Sequence, residues 1–292
     1  MAINEENMDK IIFGDNQFFG VNHMSLDKTI VESQRFAKDE AIYKTLSDVH
    51  DIGINSFMFT THERFENVFR LMRKDQKFTN FHFIPCIPYA HKYANAITEL
   101  GIIGGIKKYI PGNLFLTGVK GAVSIISNEY VELMKMLIDS EMKLVEGLNV
   151  QALFLQNIVT DLLIGLGMDQ ILGEFATYVK QKYKILPGVI TMNFAKATDI
   201  FSDKLHMPEV AICTPINKIG FRMNPSQKLV EESIALHKTP IIAMSIFASG
   251  AVPYKDAISY IASLKGIDSI LFGASSKQHI EETYQLLNSN SN

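Results

Sequence analysis

The sequence predicts a single (β/α)8, or TIM, barrel that spans residues 1–292. Eight short apolar runs alternate with stretches whose apolar residues recur at the helical period, which is typical of parallel strands joined by helical crossovers. The chain ends in two successive units of strand, small-residue turn and helix, at about residues 240–264 and 267–287. A barrel of this class uses such units, after its seventh and eighth strands, to hold phosphate.

The composition is that of a globular chain with an ample core. Hydrophobic residues make up 47% and charged residues 20% of the 292 residues, which suits one large α/β barrel or two ordinary domains. Because 28 basic and 31 acidic side chains leave a net charge of −3, there is no general attraction to nucleic acid or anionic lipid. We therefore predict neither nucleic-acid nor membrane partners.

The cysteines and the N-terminal residues predict a reduced, cytoplasmic setting. The two cysteines, Cys86 and Cys213, belong to no Cys/His cluster with zinc-ligand spacing, and we expect them to be buried packing residues. Residues 1–10 are polar and acidic rather than a basic segment leading into an apolar one. No apolar run is long enough to span a bilayer.

The eight predicted strands are short and mostly apolar. In chain order they are residues 10–14, 54–59, 81–89, 150–155, 188–194, 209–214, 240–247 and 269–272. An open doubly wound sheet is the rival fold. It is disfavoured because residues 14–20, Gly-Asp-Asn-Gln-Phe-Phe-Gly, do not form the Gly-x-Gly-x-x-Gly turn that follows the first strand of that fold.

Helical patterns fill the intervals between the strands. Asp39 is predicted to cap a helix whose apolar face carries Ile42, Leu46 and Val49. Residues 94–148 exceed what a simple crossover needs, so they predict a helical elaboration of the third βα unit rather than a separate domain.

Polar residues follow each of the first three predicted strands, at the end of the barrel where enzymes of this fold place their catalytic residues. The first loop carries Asp15 and His23, the second strand runs into residues 60–64, and the third leads to His91 and Lys92. Histidine titrates near neutral pH and carboxyl groups exchange protons, so these are candidate acid–base groups. The predicted catalytic residues are Asp15, His23, His62, Glu63, His91 and Lys92.

Alternative interpretations of these polar groups stay open. The first loop fits an Asx turn with a satisfied histidine equally well. A metal site is a weaker alternative, because none of the candidate ligands has diagnostic spacing, and we predict none. Its ligands would come from Asp15, His23, His62, Glu63 and His91.

Two turns near the C-terminus are candidate sites for phosphate or another anion. Ser249 and Gly250 follow the seventh strand, and residues 273–276 follow the eighth. Glycine lets backbone N–H groups approach a ligand, and the N-terminus of a helix favours negative charge. Lys277 would add a positive charge at the rim. The alternative, that glycine and serine serve only tight turns, stays open.

Several of these segments are similar to motifs of the aldo/keto reductase superfamily. Residues 190–194 resemble its strand ending in Ser-Asn-Phe, and residues 244–250 resemble its Tyr-Ser-Pro-Leu-Ala-x-Gly turn. Residues 272–276, followed by Ile-Glu-Glu at 280–282, resemble its cofactor-phosphate turn and final helix. Residues 53–57 are similar to its Gly-Ile-Asn-x-Phe motif. The order and spacing agree from about the second strand to the last helix.

The resemblance implies oxidoreductase-type chemistry with NADP as the possible cofactor. The cofactor-binding residues that it implies are Asn193, Ser249, Gly250, Gly273, Ala274, Ser275, Ser276 and Lys277. Asn193 would bind the carboxamide of the cofactor, and the other residues would surround its phosphates. Two positions depart from the pattern, since Ile216 stands in place of the ring-stacking tyrosine and His279 in place of the arginine near the 2′-phosphate.

The catalytic residues of that family are not found at the matching positions of this sequence. Its members reduce carbonyls with a tyrosine acid, tuned by a lysine and an aspartate, beside a histidine that orients the substrate. Here Met58 stands at the aspartate position and residues 61–65 contain no tyrosine. Cys86 stands at the lysine position and Gln156 at the histidine position. The standard reductase mechanism is therefore not expected.

Three functions are compatible with these observations. The first is a barrel enzyme that acts on a small, phosphorylated or nucleotide-bearing ligand without the standard Asp/Tyr/Lys/His machinery. The second is an NADP-dependent oxidoreductase that uses His62 as its proton donor. The third is a non-catalytic ligand sensor. In each of them the partner is a small, anionic molecule.

Overall fold

Eight parallel strands close into a barrel in which each strand pairs with the next in chain order and the last pairs with the first. The computed structural model describes residues 8–20, 32–88 and 128–289. The predicted (β/α)8 fold is confirmed. The strands are β1 (Ile11–Phe13), β2 (Ser56–Thr60), β3 (His82–Ile87), β4 (Ala152–Leu155), β5 (Leu186–Ile190), β6 (Ala211–Pro215), β7 (Ile241–Met244) and β8 (Ser269–Phe272).

Helices cover the outside of the barrel. They are α1 (Asp39–Ile52), α2 (Phe65–Met72), α3 (Asn128–Met142), α4 (Asn157–Gly165), α5 (Asp169–Tyr178), α6 (Phe194–Thr198), α7 (Gln227–Leu236), α8 (Tyr254–Ser263) and α9 (Lys277–Ser289). Wider π-type turns continue α5 over Val179–Tyr183 and α6 over Asp199–Lys204. Within the described ranges, no helix is long and apolar enough to cross a membrane.

The connection between β3 and β4 contains α3 and a short 3-10 turn at Lys143–Val145. Residues 89–127, which include much of the predicted elaboration at 94–148, lie outside the described residues. Asp139 of α3 accepts hydrogen bonds from the hydroxyls of Tyr178 and Tyr183, at 2.8 and 2.6 Å. These bonds attach α3 to α5, so the described part of the elaboration belongs to the outer helical layer. The assignment of the whole chain to one domain stays a prediction.

Side chains alternate along each strand between an outer and an inner layer. On β2, Phe57 and Phe59 pack outward against α2, where the Phe59 and Phe69 rings lie 4.8 Å apart. Met58, between them, points into the barrel. The inner layer is a separate apolar cluster made of Ile12, Met58, Ile84, Cys86, Ala152, Phe154, Ile190, Ala211, Cys213 and Ile242.

Phe154 fills the middle of the barrel. It is fully buried, and it lies opposite Gly188 in the register of β4 and β5. A Cβ atom on Gly188 would lie 2.3 Å from the Phe154 ring, which is closer than real carbon atoms approach. Gly188 is therefore required because the ring occupies the space of a side chain.

Substitution Gly188→Ala should lower the free energy of unfolding by about 1–3 kcal/mol, the usual cost of overpacking a core. The loss should shrink in a Phe154→Leu background, because the smaller side chain leaves room for the methyl group. Urea unfolding of the single and double variants measures both effects. Gly165→Ala is the matched control, since nothing lies within 4 Å of its added Cβ. An equal loss in both backgrounds would contradict the packing argument.

The boundaries of some predicted elements need correction. β5 ends at Ile190 and β7 at Met244, three to four residues before the predicted ends. The apolar residues beyond them, such as Phe194 and Ile246, are buried in loops and at a helix start rather than in the sheet. Asp39 is the first residue of α1 and Lys38 its N-cap; the Asp39 carboxylate instead accepts a hydrogen bond from Arg64.

Candidate active site at the C-terminal end of the barrel

The C-terminal ends of the strands form a rim that carries both polar and apolar side chains. Thr60 lies at the end of β2, and Gln156 lies directly after β4. Pro215 and Met244 lie at the ends of β6 and β7, where Met244 packs against the inner layer.

Asp15 is a buried carboxyl group in the first loop of the rim. It is 9% exposed, and its Oδ2 accepts a hydrogen bond from the Thr60 backbone N–H at 2.8 Å. Burial raises the pKa of Asp15 to about 6, and hydrogen bonds from Thr60 and from its own backbone offset part of that rise. The group therefore changes charge close to neutral pH, as a general acid or base has to do.

Gln156 extends this polar group across the rim. Its Nε2 donates a hydrogen bond to Thr60 Oγ1 at 3.0 Å. Cys86 of β3 lies in register with Thr60. Burial, and then the charge of Asp15, raise the pKa of the Cys86 thiol well above its usual range. Cys86 is thus a neutral packing residue, and Cys213 is buried as well, as predicted.

His62 and Glu63 follow β2 by a few residues. His62 is partly exposed, and its Nδ1 accepts a hydrogen bond from the Arg64 N–H at 3.0 Å. In the neutral ring the proton is therefore on Nε2. The His62 ring lies 4.7 Å from the Phe19 ring, beside the loop that carries Asp15. Glu63 is exposed to solvent.

Arg64 positions the first loop. Its guanidinium donates to the carbonyl oxygens of Phe18 and Phe36 at 3.2 and 2.5 Å, and it forms an ion pair with Asp39 at 3.3 Å. These contacts tie the loop that carries Asp15 to α1 and α2. The remaining predicted catalytic residues, His23, His91 and Lys92, lie outside the described residues and stay predictions.

Asp161 is a second acid at the rim, and sequence reasoning did not select it as a site residue. From α4 it accepts hydrogen bonds from Thr191 Oγ1 at 2.5 Å and from the Met192 N–H at 3.2 Å. Burial raises the pKa of Asp161, and these hydrogen bonds oppose the rise. Its position one turn after the start of α4 was the available signal, but a polar residue on a helix is usually solvated.

The turn after β7 has an unusual backbone. Ser245, Ala248 and Ser249 have φ angles of 55°, 46° and 58°, in the left-handed region that disfavours residues other than glycine. The N–H groups of residues 250–252 donate to carbonyls within the same turn, at 2.8–3.2 Å. Such strained residues cluster at functional sites. The prediction that Ser249 and Gly250 contact a ligand stays a prediction.

The turn after β8 packs against the first loop. A Cβ atom on Gly273 would lie 2.3 Å from Gln17 Oε1. Gln17 is 4% exposed, and its Nε2 donates to the Gly14 carbonyl at 2.6 Å. Glycine at position 273 therefore has a structural cause, which is the close approach of Gln17.

The other predicted cofactor-binding residues lie at helix starts on the same rim. Asn193 is the N-cap of α6, and its side chain accepts from the Lys196 N–H at 3.3 Å. Ser276 accepts from the His279 N–H at the start of α9, also at 3.3 Å. Ala274 and Ser275 are partly buried. Lys277 Nζ lies 3.4 Å from the Asp48 carboxylate on α1.

None of the rim residues described above belongs to a potential metal cluster. Within the described ranges, the group of side chains that could hold a metal ion is formed by Asp199, Asp203 and His237. Its ligand atoms lie within 4.8 Å of one another, and both carboxylates are exposed. It lies at the C-terminal ends of α6 and α7, away from the rim.

Comparison with known proteins identifies the fold. No protein-family model and no curated protein matches this chain. Two structures of a candidate aldo-keto reductase from Pseudomonas aeruginosa match it with TM-scores of 0.61 and 0.62, at 13% and 12% identity, over 97% of this chain and 91% of that chain. The glycerol dehydrogenase of Gluconobacter oxydans matches with a TM-score of 0.55 at 10% identity, over the same shares. The resemblance to the aldo/keto reductases is confirmed at the level of the fold.

Substitution Asp15→Asn should change how stability depends on pH. The pKa of Asp15 is about 3.9 in an unfolded chain, and folding raises it to about 6. The contribution of Asp15 to the free energy of unfolding is therefore fully present below pH 4 and is lost as the pH rises through 6. The variant cannot titrate. Relative to the wild type, its free energy of unfolding should therefore rise by about 2 kcal/mol when the pH is raised from 4.5 to 7.5.

Urea unfolding at several pH values measures this difference. Asp203→Asn is the matched control, because Asp203 is exposed on the outside of the barrel. Parallel pH profiles for the wild type and Asp15→Asn would show that the carboxyl group does not titrate near neutral pH.

Proposed function

We propose that this chain is an enzyme that performs proton-transfer chemistry on a small molecule at the C-terminal rim of the barrel, with Asp15 as its acid–base group. The single observation that carries the proposal is the buried Asp15 carboxyl, hydrogen-bonded to Thr60 and with a pKa of about 6. A positioned acid or base of matched pKa contributes about 10²–10⁴-fold to a rate.

The proposed ligand carries a phosphate or another anion. Support comes from the starts of α6 and α9, which lie on the same rim as Asp15, and from the partly buried Ser275 in the turn after β8. Helix N-termini favour negative charge by about 0.3–1 kcal/mol. The proposed partner is thus a small anionic molecule, not nucleic acid or membrane, and the proposed setting is the cytoplasm.

An NADP-dependent oxidoreductase with an unusual proton donor is the second candidate. The fold shared with aldo-keto reductases supports it. So does the His62 ring, which in its neutral form carries its proton on Nε2 because Nδ1 accepts from Arg64. In this function His62 would supply the proton to a carbonyl oxygen and NADPH would supply the hydride.

The protein should not reduce ordinary aldehydes with NADPH at a useful rate. Met58 and Cys86, at two of the positions that the family uses for catalysis, lie in the apolar inner layer. We expect turnover far below about 1 s⁻¹, a low value for an enzyme with its natural substrate. Loss of NADPH absorbance with a panel of aldehydes measures this rate. Faster turnover would support the second candidate instead.

Asp15→Asn should remove the pH dependence of ligand binding or turnover between pH 5 and 7. A thermal-shift screen of the wild type with NADP, NAD, sugar phosphates and divalent metals identifies the probe, because a ligand of the native state raises the melting temperature. The shift given by the best probe is then compared at pH 5.5 and 7.5 in both proteins. If the dependence survives in Asp15→Asn, Asp15 is not the acid–base group.

Ser275→Asp should abolish the thermal shift produced by NADP or a sugar phosphate, because it places like charge in the predicted anion site. Position 275 is a better choice than 273, where a side chain would also have to displace the amide group of Gln17. Ser263→Asp is the matched control, on the exposed end of α8. An unchanged shift in folded Ser275→Asp would leave the turn with only a structural role.

A further inference from the structure

A histidine and two carboxylates from different helices converge on the outside of the barrel. Asp199 and Asp203 lie on the π-type turn that continues α6, and His237 is the C-cap of α7. One possible ligand atom from each of the three side chains lies within 4.8 Å of the other two. Because the imidazole comes from a separate helix, the grouping is a product of the fold rather than of one stretch of chain.

Among the described residues, these three side chains have no other partner. None of them takes part in a hydrogen bond or an ion pair there. The lysine that follows Asp203 in the chain, Lys204, is engaged by Asp169 of α5 instead. Two like charges four positions apart on a helix destabilise it. The position of Asp199 and Asp203 therefore favours a cation that neutralises both carboxylates.

Two pairs of hydroxyl groups hold the segments that carry the three side chains against each other. Thr198 Oγ1 and Ser233 Oγ lie 3.3 Å apart, and Ser202 Oγ and Thr239 Oγ1 lie 3.1 Å apart. Three of these four residues are buried, and each pair joins the α6 segment to the α7 segment. The backbone on both sides of the cluster is thus fixed before any ion binds, which lowers the entropy cost of binding one.

We propose that Asp199, Asp203 and His237 bind a divalent transition-metal ion, for which Zn²⁺ is the model. Bonds of about 2.0–2.2 Å place the ligand atoms of one tetrahedral Zn²⁺ about 3.4 Å apart. Because both carboxylates are exposed, they can rotate to reach that separation. Imidazole suits zinc and similar transition metals, whereas Mg²⁺ and Ca²⁺ prefer sites made of oxygen ligands.

The bound ion would join the continuation of α6 to the end of α7. It would stabilise the outer helical layer in the same place as the two hydroxyl pairs. The cluster lies away from the rim that carries Asp15. The inference is therefore independent of the proposed function, and the failure of one leaves the other unchanged.

The test is a calorimetric titration of the metal-free full-length chain with ZnCl₂, together with thermal unfolding with and without Zn²⁺. Zn²⁺ should raise the melting temperature of the wild type, because it binds the native state, and Mg²⁺ should not. His237→Ala and Asp203→Asn should each weaken Zn²⁺ binding by at least about tenfold, the usual effect of losing even a supporting group of a metal site.

The metal-free proteins separate a ligand role from a structural role. Without Zn²⁺, Asp203→Asn should melt at or above the wild-type temperature, because it removes one of two like charges. His279→Ala is the matched control for His237→Ala, since His279 is an exposed histidine on α9, and it should keep the wild-type affinity. Unchanged Zn²⁺ affinity in His237→Ala and Asp203→Asn, or an equal loss in His279→Ala, would overturn the inference.

Discussion

The contact between Phe154 and Gly188 determines where chemistry can occur in this barrel. The phenyl ring belongs to the inner layer, and no Cβ atom fits beside it on Gly188 of the neighbouring strand β5. The interior is consequently packed and apolar from Ile12 to Ile242 rather than open. Because this inner layer is apolar, polar side chains inside the barrel are favoured where the strands end, and the rim is the part of the barrel best suited to hold reactive groups.

Burial at that rim gives a simple carboxylic acid the proton affinity that a catalyst needs. Asp15 is enclosed by protein, and removal from water raises its pKa into the physiological range. In the aldo/keto reductases that the sequence resembles, the acid is a tyrosine that charged neighbours tune from a much higher pKa. The two arrangements approach neutral pH from opposite directions, so the proposed Asp15-based site would not need a tuned tyrosine.

The C-terminal turns show how one residue pattern can have two physical causes. Glycine at 273 fits a phosphate-binding turn, yet it also leaves room for the amide end of the Gln17 side chain. Ser276 could meet an anion, and it also caps α9. Ser275 differs from both, because no internal contact of this kind explains it within the described residues. It is therefore the position at which a ligand-binding role and a structural role can be separated.

The sequence by itself determined the (β/α)8 fold, because alternation of apolar strands and amphipathic helices is a local pattern that each segment carries alone. It also predicts Asp15 and the strand ends as the place for chemistry, which stays a prediction. The tertiary structure decided which polar groups meet, since Thr60 lies 45 positions from Asp15 and 96 from Gln156. It likewise decided the proton affinity of Asp15, because burial is a property of the packed barrel and not of any local stretch of chain.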